Sequence, residues 1–121
     1  MSKPWQKVIE GKKKFQEVIQ NHPSTATKQS LMNDLIAAVS DRKQYPVQEA
    51  MRIQCDYFYP ENHLEKLSSM FVEKSDIGYG TRTHSVVLVD GTGQVDFYER
   101  TMKDPLNNKD WVETHFTFQI E

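Results

Sequence analysis

Four ionisable residues have types and spacings suited to holding a small anionic ligand: Lys12, Arg82, His84 and Glu99. Arginine and lysine bind carboxylates and phosphates, and the planar guanidinium of arginine does so through two parallel hydrogen bonds. A carboxylate beside them, such as Glu99, would orient the cations. The alternative interpretation is a structural ion pair that closes the core at this point. The same residues would then serve the fold and not a ligand.

A predicted β-hairpin brings three of these residues together. Its two β-rich runs flank residues 90–93, whose sequence Asp-Gly-Thr-Gly is typical of a tight turn. We predict that the residues on either side of this four-residue turn pair with each other. That register sets His84 opposite Glu99 and places Arg82 further along the same face. The apolar residues predicted for this face are Val86, Leu88, Val95 and Phe97.

Lys12 comes from the first of two predicted helices. Pro4 suits the first turn of a helix, and an apolar stripe at helical spacing follows it: Trp5, Val8, Ile9, Phe15 and Ile19. Lys12 projects from the middle of this stripe, so it either reaches solvent past its neighbours or points into a polar pocket where the helix meets the sheet. Gly11 lowers helix stability, and we expect it to permit a close backbone approach.

The remaining elements follow from their apolar patterns. A second helix is predicted from the stripe Leu31, Met32, Leu35, Ile36 and Val39. Residues 44–64 lack a clear period and are predicted to form a long surface excursion with one helical turn at 47–51. Strands are predicted over 67–73, in the two hairpin arms and over 111–120, with a polar connection over 102–109. The fold class is therefore α+β, with two N-terminal helices packed on an antiparallel four-stranded meander.

Length and composition favour one class of protein and exclude several kinds of partner. The 121 residues predict a single domain, 1–121, and the net charge of −2 gives no reason to expect nucleic acid as a partner. No stretch approaches the roughly 20 apolar residues of a transmembrane segment. The lone Cys55 excludes an intrachain disulfide and predicts a cytoplasmic, reducing location. No zinc spacing, phosphate loop or nucleophile elbow occurs, so the residues alone predict no metal, cofactor or catalytic side chain.

Several motifs resemble a known family. Residues Tyr79–Thr83, the apolar strand that follows, and Glu99–Met102 are similar to the C-terminal signature of the transport and Golgi organisation protein 2 family. That family belongs to a superfamily named after an N-terminal Asn-Arg-Asp-Glu motif. A helix after the family's midpoint is matched by Pro4-Trp5, Lys7, Gly11-Lys12 and Phe15. The family's closing strand is matched by Trp111, Glu113-Thr114 and Phe116. Residues 21–65 carry little resemblance.

The resemblance implies a fold and a function. The fold would be the C-terminal portion of an N-terminal-nucleophile-like αββα sandwich. The function would be that of a non-enzymatic trafficking or ligand-handling protein in Golgi organisation, protein secretion and haem or lipid mobilisation, with Golgi or mitochondrial association. Haem or a small anion would be the ligand. One alternative is an amide hydrolase of the N-terminal-nucleophile type whose catalytic half is missing from this chain, and another is a structural remnant without activity. Ser2 is better explained as a helix cap than as a terminal nucleophile.

The resemblance also predicts an uncovered surface. The family's Asn-Arg-Asp-Glu segment is absent from this sequence, so the chain is expected to be a C-terminal half without the second sheet. Its origin would be a shortened gene product, an isoform or an incomplete gene model. One face of the meander would then stay exposed as an apolar patch that includes Val87, Val89 and Trp111. We predict self-association through this exposed sheet face, or poor solubility, when the chain is expressed alone.

Overall fold

The structure is a computed structural model that describes residues 3–22, 27–74, 76, 78–104 and 107–121, without the side chains of residues 107 and 108. The chain divides into two compact units, Met1–Lys74 and Ser75–Glu121. The described residues form four helices and five strands, with the strands in one two-stranded and one three-stranded sheet. The predicted α+β class is therefore confirmed. In this part of the chain no helix is long and apolar enough to cross a membrane.

The first unit is helical. Its helices are α1 (Gln6–Gln20), α2 (Lys28–Val39), α3 (Glu49–Gln54) and α4 (Glu61–Leu67). Its buried apolar side chains are Met32, Leu35, Ile36, Met51, Leu64 and Phe71. The two predicted helices are confirmed, and the side chain of Thr27 caps α2 by accepting a hydrogen bond from the Ser30 N–H. The helical turn predicted at 47–51 overlaps α3, which runs over Glu49–Gln54. The long surface excursion predicted over 44–64 is wrong, because this stretch contains α3 and the start of α4, with Met51 and Leu64 buried.

Helix α1 exposes the apolar stripe that the sequence shows. Val8 and Phe15 are both 53% exposed, Lys12 is exposed between them, and none of the helix's described residues is buried. The side of α1 that approaches the rest of its unit carries Gly11, where an added Cβ would lie 2.7 Å from the Met70 sulfur. The expected close approach at Gly11 therefore exists, and it is made by a side chain.

The strand predicted over 67–73 is wrong. Residues 61–67 form α4, which begins after Pro60 in an extended conformation and carries Glu61 in its first turn, where a negative charge is favourable. Leu64 is the buried residue of this helix. Only Glu73–Lys74, β1, is a strand in this region. The four-stranded meander is therefore not found among the described residues.

The second unit contains the other strands. They are β2 (Tyr79–Gly80), β3 (Thr83–Val89), β4 (Gln94–Asp104) and β5 (Asn107–Gln119). Strands β3, β4 and β5 form an antiparallel sheet in that order. The predicted hairpin and closing strand are confirmed. The polar connection predicted over 102–109 is wrong, because β4 continues to residue 104 and β5 begins at residue 107.

The hairpin turn has three residues, not the predicted four. The Asp90 N–H donates to the Gln94 carbonyl oxygen at 3.0 Å, which leaves residues 91–93 as the loop. The Asp90 carboxylate accepts hydrogen bonds from the Thr92 and Gln94 N–H groups at 2.9 and 3.1 Å. Gly93 has a φ of 84°, as the last residue of a three-residue loop requires.

The shorter loop moves the register by one residue. His84 pairs with Arg100, and Ser85 pairs with Glu99, whose carboxylate accepts a hydrogen bond from the Ser85 hydroxyl at 3.2 Å. Because side chains alternate along a strand, His84 and Glu99 lie on opposite faces of the sheet. The prediction that His84 faces Glu99 is therefore wrong. The predicted common face of Val86, Leu88, Val95 and Phe97 is wrong as well, because Val86 and Leu88 lie with His84 whereas Val95 and Phe97 lie with Glu99.

Candidate functional site

One face of the three-stranded sheet carries a row of titratable and aromatic side chains, and we refer to it as the polar face. Its members in this row are His84, Asp96, Tyr98, Arg100, Trp111, Glu113 and His115. Alternation along β3, β4 and β5 places them together, because Arg100 pairs with both His84 and Glu113. The row therefore crosses all three strands.

Trp111 joins the two basic residues at one end of this row. The His84 ring stacks on the Trp111 ring with a centroid distance of 6.0 Å and an angle of 14°, and the Arg100 guanidinium lies 4.5 Å from the indole centroid. His84 is only 7% exposed. Burial, assisted by the nearby Arg100 charge, lowers the pKa of His84. The imidazole is therefore neutral at pH 7, and the cation of this cluster is the Arg100 guanidinium.

The other end of the row consists of two hydrogen-bonded pairs. His115 Nε2 lies 3.2 Å from the Asp96 carboxylate, which is 4% exposed. The Tyr98 hydroxyl donates to Glu113, and burial followed by this hydrogen bond raises the pKa of Tyr98. Both pairs connect β4 to β5. Each pair therefore adds one side-chain contact between β4 and β5.

Metal binding has no geometric support in the residues described. Among them no group of three or more His, Cys, Asp or Glu side chains is arranged to hold a metal ion. Haem as a ligand therefore stays a prediction that depends on the family resemblance.

The opposite face of the sheet, which we refer to as the apolar face, is largely uncovered. Its large apolar side chains are Val87, Val89, Phe97, Val112, Phe116 and Phe118. The rings of Phe97 and Phe116 stack at 4.9 Å, and Phe118 lies 6.4 Å from Phe116. Val87 is 57% exposed and Phe118 is 53% exposed. The predicted exposure of an apolar sheet face is confirmed for Val87 and Val89, whereas Trp111 lies on the polar face because it alternates with Val112.

The four residues predicted to form an anion pocket are distributed as follows. Lys12 is exposed on α1 in the first unit, and the Arg82 carbonyl oxygen accepts a hydrogen bond from the Met102 N–H at 2.8 Å. His84 lies on the polar face, and Glu99 lies on the other face. The pocket itself stays a prediction, but the pairing of His84 with Glu99 within it is replaced by pairing with Arg100.

The sequence interpretation missed the residues that surround His84. Arg100 was not included because the assumed turn was one residue too long. The Asp96–His115 pair depends on the β4–β5 register, which the hairpin turn does not set. Gly93 was the available signal, because a second glycine after Asp-Gly is suited to the left-handed position of a three-residue loop. Counting the register from that loop would have placed Arg100 opposite His84.

The buried imidazole of His84 predicts a pH dependence of stability. Because its folded pKa lies below the unfolded value of about 6.5, the unfolded chain takes up a proton first as the pH falls. We therefore expect the free energy of unfolding to decrease below about pH 6.5, by at most about 1.4 kcal/mol per pH unit for this one group. Urea unfolding at pH 7.5, 6.5 and 5.5 measures the slope. His84→Gln should reduce that slope, and an unchanged slope would contradict the assignment.

Comparison with known proteins finds a matching family model and related proteins that carry the same name. The model of the family described as Transport and Golgi organisation 2 matches residues 1–104. Transport and Golgi organization protein 2 of Drosophila melanogaster is 30% identical over 112 residues, which cover 93% of this chain and 38% of the fly protein. Its homologs from Bos taurus and Homo sapiens are 33% and 31% identical, over 98% of this chain and 41% of their own length. The chain thus spans about two fifths of the relatives it matches.

Proposed function

The chain belongs to the Transport and Golgi organisation 2 family, and we propose that it is a non-enzymatic binding protein that acts in Golgi organisation and protein secretion. The names of its relatives refer to transport and Golgi organisation. The location we propose is the cytoplasm, with association to the Golgi apparatus. The ligand we propose is amphipathic, either haem or a lipid, with its apolar body against the apolar face of the sheet.

The observation that carries this proposal is the exposure of the apolar face. Phe116 and Phe118 are 50% and 53% exposed, and Phe97 stacks beside them. Exposed apolar side chains that adjoin one another mark binding surfaces more often than scattered ones do. Flat aromatic rings on one side of a sheet suit a planar macrocycle or an extended acyl chain, because both ligands bury a long apolar surface against such a row.

Substitution on this face tests the proposal. We expect Phe118→Gln to weaken binding of haemin, measured by absorbance titration, or of lipid vesicles, measured by co-sedimentation. The reason is that the variant removes about 1.5–3 kcal/mol of apolar burial that a ligand would gain there. Thr117→Gln is the matched control, because residue 117 is adjacent on β5, is exposed, and points to the polar face.

The two binding assays distinguish haem from lipid as the ligand. Haemin binding without vesicle binding would identify a macrocycle, and the converse would identify a lipid. Equal loss in Phe118→Gln and Thr117→Gln would contradict the use of the apolar face. Absence of binding to both probes by the unaltered chain would contradict the proposed ligand class.

Three further expectations stay predictions. The αββα sandwich implied by the resemblance and self-association through the apolar face would each cover the residues that the ligand is proposed to contact. The anion pocket of Lys12, Arg82, His84 and Glu99 is also a prediction. The alternative function, an amide hydrolase with its catalytic half missing from this chain, gains no support from the geometry of the described residues. Ser2 lies outside them.

A further inference from the structure

Strand β5 forms an edge of the three-stranded sheet. It is 13 residues long, contains no proline, and pairs only with β4 among the described residues. The Ile120 N–H donates to the Gly93 carbonyl oxygen, so even-numbered residues of β5 direct their backbone groups to β4. The backbone groups of Glu113, His115 and Thr117 therefore point away from the sheet. An exposed edge of this length is a template for another strand.

We propose that two copies of the chain pair through β5, antiparallel, around a two-fold axis at Thr114. In this register Glu113 faces His115 of the second copy, and His115 faces Glu113 of the second copy. Thr114 faces its own counterpart, and Val112 faces Phe116 of the second copy. Acid–base, Thr–Thr and aromatic–β-branched pairs are the cross-strand combinations that stabilise antiparallel sheets.

Charge selects this register over its neighbours. An axis at residue 113 would place Glu113 opposite itself, and an axis at residue 115 would place His115 opposite itself. Like charges directly opposite each other destabilise a strand pair, and neither of these registers pairs Glu113 with His115. Glu113 is exposed and the His115 side chain is 41% exposed, so both are accessible to a second copy. An axis at Thr114 also aligns residues 111–117 of both copies, which lie in the part of β5 that pairs regularly with β4, because the ladder changes register between Trp111 and Asn107.

The pairing would produce one continuous sheet of six strands. Both apolar faces would lie on the same side of that sheet, and both polar faces on the other. The inference does not depend on the proposed ligand, because edge pairing adds strands beside Phe116 and Phe118 and places nothing over the apolar face. Edge pairing also differs from stacking of two apolar faces, in which the backbone edge of β5 takes no part.

Two single-cysteine variants in a Cys55→Ser background test the register. At the axis, Thr114 and its counterpart would form a non-hydrogen-bonded pair with Cα atoms about 4.5 Å apart, which is within the range for a disulfide. Val112 lies on the same face of the same strand, but its counterpart would be four residues away along the strand, about 13 Å. We therefore expect Thr114→Cys to form disulfide dimers under oxidised glutathione, and Val112→Cys to remain mostly monomeric on a non-reducing gel.

Sedimentation velocity completes the test. The unaltered chain is expected to sediment as a dimer in a concentration-dependent manner. Thr117→Pro should be monomeric, because residue 117 directs its N–H away from β4. A proline there removes a hydrogen bond to the second copy and leaves the hydrogen bonds between β5 and β4 intact. Equal cross-linking of the two cysteine variants, as stacking of apolar faces would give, overturns the proposal. A monomer at all concentrations for the unaltered chain, or a dimer for Thr117→Pro, overturns it as well.

Discussion

Replacing Gly93 by alanine is expected to lower the free energy of unfolding by about 1–3 kcal/mol. Gly93 has a φ of 84°, which residues with a Cβ rarely adopt. An added Cβ would also lie 3.0 Å from the Gln119 side-chain nitrogen and 3.5 Å from the Ile120 carbonyl oxygen. The alanine variant must therefore either keep a strained loop or change the register of the hairpin. Urea unfolding followed by circular dichroism measures the loss.

Gly91→Ala is the matched control for this prediction. Gly91 lies in the same loop, has no positive φ, and has no atom within 4 Å of an added Cβ. Its replacement is expected to change the free energy of unfolding by no more than about 0.5 kcal/mol. Equal losses in the two variants would show that the loop needs flexibility in general. The structure instead assigns the requirement to the left-handed conformation of residue 93.

The same glycine explains what the sequence could and could not predict in the sheet. Alternating residues and the Asp-Gly turn were sufficient to predict β3, β4 and β5, since these signals are local. The register was not predictable with equal certainty, because loops of three and four residues have similar sequences and differ in the conformation of one residue. A shift by one residue exchanges the faces of every side chain on the partner strand. His84 was therefore identified as a site residue, but with Glu99 in place of Arg100.

The helical unit was harder to predict for a different reason. Residues 67–73 alternate in a way that resembles a strand, yet the Phe71 N–H donates to the Asp41 carbonyl oxygen at 2.9 Å and its ring is buried. That contact joins residues 30 positions apart, and no local pattern encodes it. The exposed stripe of α1 shows the same limitation, because the side of the helix that is packed depends on a close approach of Met70 to Gly11. In both regions, contacts between residues far apart in the sequence override the local pattern.

The interaction of Lys7 with α4 leads to the second prediction of large effect. Lys7 Nζ donates to the Leu67 and Ser69 carbonyl oxygens at 2.7 and 3.2 Å, at the C-terminal end of α4. Carbonyl groups there have no partner within the helix and favour a positive charge. Burial lowers the pKa of Lys7, but both hydrogen bonds are made by a charged donor. We expect Lys7→Met to lower the free energy of unfolding by about 1.5–3 kcal/mol.

Lys12→Met separates the effect of this contact from the effect of removing a charge. Lys12 lies on the same helix and is exposed, so its replacement is expected to change the free energy of unfolding by less than about 0.5 kcal/mol. Thermal and urea unfolding of both variants at pH 7 provide the comparison. Equal destabilisation would contradict a specific role for Lys7, because both substitutions remove one positive charge from α1. A large loss confined to Lys7→Met would mean that this ammonium group helps to hold α1 to the end of α4, beside the hydrogen bonds of Gln6 with Gln48 and of Lys14 with Asp41.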